Sequence, residues 1–174
     1  MSGVQVIAGG NPRVGSMDVD ERDQCIRDIV SWFQRKADLE SAVEKSADIE
    51  VLEKTLGMEL PEELRSLLTT QSGGIWFDDY KSLSADDIIN KAEALSSVKG
   101  WNSSLIPFAA NVDGGALVTD TDSRNAVFEF NEDGKGDRVL APTLLEYLEK
   151  YRNRLLSGKF DFVEDVGLVE RSRK

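Results

Sequence analysis

Histidine is absent from this 174-residue chain. Its absence removes the usual general base near neutral pH, the commonest zinc ligand and every Ser-His or Cys-His nucleophile arrangement. Catalysis would have to rest on carboxylates, lysine or a bound metal. Cysteine occurs once, as Cys25, so no disulfide can close within the chain. Cys25 falls among apolar positions at helical spacing and reads as a core residue rather than a reactive thiol. No apolar run approaches the roughly 18 residues of a membrane span. The opening MSGVQVIAGG lacks the basic flank and long apolar region of a signal peptide. The expectation is a cytoplasmic protein.

Positive charge is also scarce. Lys and Arg number 21 against 32 Asp and Glu, a formal net charge of −11. Such a chain repels phosphate backbones and anionic lipid surfaces, which argues against nucleic acid and membrane as direct partners. The imbalance is uneven: residues 1–137 carry 13 basic and 26 acidic side chains, residues 138–174 carry 8 and 6. An acidic body of this kind attracts basic protein surfaces, although the same charge also serves solubility.

The length accommodates one substantial core and calls for no second domain. Residues 1–17 mix glycine, proline and small side chains and read as a flexible lead. Cys25, Ile26, Ile29, Val30 and Phe33 recur at helical spacing and predict a helix over about 20–36. A second helix is expected from about Asp48, closed by Gly57. A third starts at Pro61, with Glu62 and Glu63 at the positive end of its dipole, and stops at Ser72-Gly73-Gly74. Two short strands around an Asp78-Asp79 turn follow, and then a helix over about 85–96 opened by a Ser84/Asp87 capping box. Residues 105–110, 116–119, 126–130 and 138–141 are β-prone runs between turn-rich spacers, the pattern of an antiparallel meander. Thr143 caps a last long helix striped by Leu144, Leu145, Leu148, Tyr151 and Leu155. Phe160 to Val163 suits an edge strand, and residues 165–174 read as a tail.

Few constellations suggest chemistry. Gly10-Asn-Pro-Arg-Val-Gly15-Ser16 approximates a phosphate-binding loop, but Ser16 stands where lysine is needed and Met17 where the magnesium-binding hydroxyl belongs. Asp120 and Asp122 flank Thr121 at a strand end, where paired carboxylates can hold a divalent metal and a nucleotide-sugar diphosphate. That arrangement normally needs a larger parallel α/β body, and an Asx-stabilised turn accounts for the pair. Neither Asp120 to Asn125 nor Asn131 to Asp137 fits a calcium loop, because Asn125 occupies the glycine position of the first and Pro142 the twelfth position of the second. Trp76, Phe77, Tyr80 and Trp101 are core residues by type, or interface anchors where they face outward.

The run Leu56-Gly57-Met58-Glu59-Leu60-Pro61, the leucines that follow, Ser72-Gly73-Gly74 and then Tyr80 to Ser84 resemble the SUKH superfamily, which includes the fungal Smi and Knr cell-wall regulators. Leu105-Ile106-Pro107-Phe108 followed by Asp113-Gly114-Gly115 and Asp120 resembles the strand pair of the same family. The match covers about residues 48–152, with Ser72 in place of the usual asparagine of the Asn-Gly-Gly turn. The resemblance implies protein-binding modules: bacterial members that neutralise secreted toxins, and eukaryotic regulators, adaptors or complex subunits, none implying catalysis.

The expectation from sequence is therefore a single α+β domain over residues 18–164, its helices packed on a mainly antiparallel sheet of about five or six strands. It is expected to bind another protein, without cofactor, metal or catalytic residues. The expected surface is acidic and partly aromatic, built from Trp76, Asp78, Asp79, Tyr80, Asp113, Asp120 and Asp122, and suited to a basic partner. The alternative is a metal-assisted enzyme on sugar or nucleotide phosphates using Asp120 and Asp122. A third reading, a structural subunit, conflicts with the high charge content.

Overall fold

The computed structural model describes residues 12–171, with side chains described from residue 20. The first helix, α1 (Pro12–Lys36), starts earlier than its apolar stripe suggests. Asn11-Pro12 is a helix-start pair in sequence, proline suiting a first position whose amide has no helical partner. Residues 12–17 of the expected lead are therefore helical, while residues 1–11 and 172–174 lie outside the described residues.

From α1 the chain crosses an extended segment into α2 (Ser46–Leu56) and α3 (Glu62–Thr70), a helix pair punctuated by Gly57 and Pro61 as their chemistry requires. Leu64, Leu67 and Leu68 of α3 and Ile49 and Leu52 of α2 are buried. The tight exit after α3 is made by Gly73 and Gly74, both at positive φ (77° and 86°). Only glycine takes that conformation without steric cost.

A six-stranded antiparallel sheet follows in sequence order: β1 (Trp76–Phe77), β2 (Tyr80–Ser82), β3 (Leu105–Ala110), β4 (Ala116–Asp120), β5 (Ala126–Asn131) and β6 (Gly134–Lys135). Helix α4 (Ala85–Leu95) lies between β2 and β3, with the Ser84 hydroxyl accepting from the Asp87 amide. The domain is an α+β fold. Residues 138–141, expected as a strand, form only an isolated bridge, Val127 to Ala141. The turn after Asn131 brings Gly134 straight back onto β5, so β6 takes that edge and the later residues meet only the start of the strand.

Both faces of the sheet are covered. On one, Ile106, Phe108, Leu117 and Val127 join the buried side chains of α1, α3, α4 and α5 (Leu144–Leu156). On the other, Leu105, Val118, Phe128 and Phe130 pack with Leu95 and Trp101. Trp101 meets Phe130 edge-to-face at 5.0 Å, so it is a core lid rather than an outward anchor. Cys25 is fully buried, as its place on α1 predicts. At roughly 25 cal/mol per Å² of apolar surface, each fully buried leucine or phenylalanine contributes about 1.5–3 kcal/mol.

Residues beyond α5 are not a lone edge strand and a tail. They form a hairpin, β7 (Phe160–Val163) with β8 (Gly167–Glu170), docked on the free side of β1. Among the described residues, no helix is long and apolar enough to cross a membrane.

Candidate functional site

A cleft of about 350 Å³ opens between the β1–β2 turn, β4, β5 and α5. Helical spacing builds its lower wall: Tyr147, Lys150, Tyr151 and Arg154 recur three and four residues apart and so share one stripe of α5. Phe77, Leu117 and Leu140 line it with apolar surface, and Tyr80, Glu129 and the Asp78-Asp79 turn form the opposite rim. All three tyrosines of the chain line this one cleft.

The rim is braced from below. Arg154 donates Nη2 to Asp78 Oδ1 at 2.7 Å and Nη1 to Asp78 Oδ2 at 3.1 Å, a bidentate pair that fixes the turn against α5. The guanidinium also lies over the Tyr151 and Phe160 rings, at 5.4 and 4.8 Å. Tyr151, buried beneath, donates its hydroxyl to the Trp76 carbonyl. Phe77 stacks obliquely on Tyr151 at 5.0 Å and on Tyr147 at 5.8 Å. Tyr80 donates to Glu129 Oε2 at 2.8 Å across the sheet.

Burial raises the hydroxyls of Tyr147 and Tyr151 above the ordinary phenol value, with the Asp78 carboxylate adding to the effect. Tyr80 is raised first by burial and then by its bond to Glu129 and by the charges of Asp79 and Asp113. All three phenols therefore stay protonated, and those of Tyr80 and Tyr151 act as hydrogen-bond donors. Their arrangement holds a surface in shape. It does not place a proton acceptor beside an activated nucleophile.

The structure divides the seven residues singled out from the sequence. Asp78, Asp79 and Tyr80 stand together on the rim, and Asp113 lies close enough for its charge to act on Tyr80. Trp76 is only half-exposed: Phe162 covers it at 6.1 Å, the Lys81 ammonium lies 5.8 Å from its centroid, and it belongs to the hairpin side of β1. Asp120 and Asp122 sit at the other end of β4, about 14 Å of strand from Ala116.

Asp120 must also leave the surface set because it is 5 % exposed. Its Oδ1 accepts from the Ser104 hydroxyl at 2.9 Å and the Asp122 amide at 3.0 Å, while Lys135 approaches Oδ2 at 3.7 Å. It is the Asx turn expected of its position, with a carboxylate occupied by the chain's own donors. Among the described residues, no three Asp, Glu, Cys or His side chains are placed to hold a metal ion.

Sequence reasoning missed Glu129, Arg138, Tyr147, Lys150 and Arg154. The α5 stripe carried a legible signal, since Tyr147, Tyr151 and Arg154 share its spacing. The cross-sheet partners carried none, because Tyr80 and Glu129 are 49 residues apart.

Comparison with family models matches residues 45–150 to the SMI1 / KNR4 family (SUKH-1). The chain belongs to this family. The matched span runs from the start of α2 to the middle of α5, and so contains the β1–β2 turn, the whole six-stranded sheet and most of the cleft. It excludes α1 and the β7–β8 hairpin, along with Arg154, the residue that fixes the turn in this SUKH-1 domain. Comparison with the curated proteins yields no match.

Proposed function

We propose that this SUKH-1 domain is a non-enzymatic protein-binding module, a regulator, adaptor or immunity-type protein that docks a basic partner on the turn end of its sheet. The observation that carries this reading is the clustering of exposed Asp79, Asp113 and Glu129 around Tyr80, on a turn locked by the Arg154–Asp78 pair. Val112, 95 % exposed at the neighbouring hairpin tip, adds an apolar contact. Family membership supports the same reading.

Carboxylates at the rim steer encounter with a basic surface, and the aromatic and apolar contacts prolong the bound state. Pre-fixing the turn removes part of the ordering cost of association. The working location for such a module is the cytoplasm.

The test is affinity capture from the native cell with the full chain, followed by measured dissociation constants for the captured partner. Asp79→Lys with Asp113→Lys weakens that complex about tenfold or more and lowers its salt dependence. Asp122→Lys, at the far end of the sheet, leaves it unchanged. Equal affinity for all three proteins at every ionic strength overturns the reading.

A further inference from the structure

The three tyrosines of the cleft are not used alike. Tyr151 donates to the Trp76 carbonyl and Tyr80 to Glu129, whereas the Tyr147 hydroxyl makes no hydrogen bond among the described residues. The Tyr147 side chain is largely buried, yet its oxygen is not sealed. Sealed side-chain atoms without a partner are confined, among the described residues, to Gln71 Oε1. Beyond burial itself, the groups that act on the Tyr147 phenol are Asp78, Arg154, Tyr80 and Glu129, and every one of them lines the cleft. An open hydroxyl with those neighbours faces the cleft, and nothing in the chain takes it up.

Its surroundings suit a cation. Tyr147 packs on Phe77 at 5.8 Å and on Phe108 at 6.0 Å, and the neighbouring Tyr151 ring already carries one cation, the Arg154 guanidinium at 5.4 Å. Aromatic faces attract a desolvated cation through their quadrupole. Arg154 is itself neutralised, because it occupies both oxygens of Asp78. Glu129 spends Oε2 on Tyr80 and keeps Oε1. Arg138 and Lys150, the other cations of the lining, are exposed, and neither is among the groups that act on the Tyr147 phenol. The depth of the cleft is therefore acidic and aromatic, with Leu117 and Leu140 as an apolar approach. Its volume of about 350 Å³ lies at the lower end of the roughly 300–1,000 Å³ typical of ligand pockets.

We infer that this cleft receives a lysine side chain of the partner protein, its ammonium donating to the Tyr147 hydroxyl oxygen and to Glu129 Oε1 over the aromatic floor. An ammonium is a compact charge with three rotatable donors, which suits two single acceptors on different elements, α5 and β5. A guanidinium fork calls for a carboxylate with both oxygens free, and neither Asp78 nor Glu129 offers one. The four-carbon stem covers Leu117 and Leu140. The inference deepens the protein-binding reading and rests on it, because it assigns a specific side chain to the basic partner.

All three tyrosines of the chain line the cleft, so the full chain carrying carbon-13 in its tyrosine rings reports on this site alone. It is titrated with Nα-acetyl-lysine methylamide, and the Nε-acetylated, arginine and glutamate counterparts are the controls. The lysine probe shifts the Tyr147 and Tyr80 ring signals saturably, and all three controls bind more weakly. Tyr147→Phe removes a hydroxyl that the fold does not use, and weakens lysine binding, read from the Tyr80 ring, about tenfold. Glu129→Gln, which still accepts from Tyr80, weakens it as well. Both variants are checked for a native spectrum.

Equal or tighter binding of the acetylated, arginine or glutamate probe overturns the inference. So does the lack of any saturable shift, or undiminished binding by folded Tyr147→Phe, which would leave the hydroxyl to water. These outcomes are separate from the partner-binding test, in which Asp79 and Asp113 are changed and Tyr147 and Glu129 are not.

Discussion

Arg154 and Asp78 form a bidentate ion pair across 76 residues of chain, tying the last helix to the first turn of the sheet. Both side chains remain partly exposed, 41 % and 47 %, so solvent screening limits what the pair contributes. Arg154→Ala is expected to cost about 1 kcal/mol in chemical denaturation. It should also loosen the turn selectively. Hydrogen exchange at Asp78 to Tyr80 then rises while that of β4 does not, and a uniform rise across the sheet would refute the local role.

Gly167 touches the same turn from the other side. A Cβ at this position would lie 2.4 Å from the Asp78 carbonyl oxygen and 3.0 Å from Trp76 Cε3, and its φ of 110° already disfavours any side chain. Gly167→Ala is therefore expected to undock the β7–β8 hairpin at a cost of about 1–3 kcal/mol. Trp76 fluorescence should shift toward that of exposed indole, with the rest of the core intact by methyl spectra. An unchanged tryptophan signal would contradict the docking.

Asp120 is expected to matter for stability rather than for ligands. Asp120→Ala strands the Asp122 amide and leaves the Ser104 hydroxyl with Asn102 Oδ1 as its remaining acceptor, with an expected loss of about 1–3 kcal/mol. Calorimetric titration of the folded wild type with manganese should show no binding that this substitution abolishes. A tight, Asp120-dependent manganese site would revive the metal-assisted alternative.

The alkaline limb of stability follows from buried neutral groups. Burial pushes the Cys25 thiol from its ordinary 9.0 up to about 12, with Glu149 and Asp28 adding and Arg152 opposing. A group raised in the folded state contributes fully below its unfolded value and loses that contribution as pH climbs through the folded one. Stability is therefore expected to fall from about pH 9 toward 12, joined above the ordinary phenol value of 10.0 by the three raised tyrosines. Native Cys25 should resist thiol reagents until the chain unfolds. Rapid labelling at pH 8 under native conditions would contradict its burial.

Local chemistry made much of the fold readable. Gly57, Pro61, Ser84 and Thr143 mark helix ends through constraints acting within four residues, and each does so in the structure. The strand at 138–141 misled because β-propensity reports what suits a pleated surface, not which edge is free. Gly134 had already taken that edge.

Periodicity and capping chemistry, together with the run of motifs from Leu56 to Asp120, determined from sequence alone an acidic α+β domain of the SUKH type. Tertiary structure alone decided which carboxylates stay in solvent and where they gather. Asp79 and Asp113 gather at one end of the sheet, Asp120 turns inward, and Gln71 keeps an oxygen without a donor. The reason is physical: caps and periodic stripes follow from neighbours in the chain, whereas burial and pairing of a charge depend on groups dozens of residues away that only packing brings together.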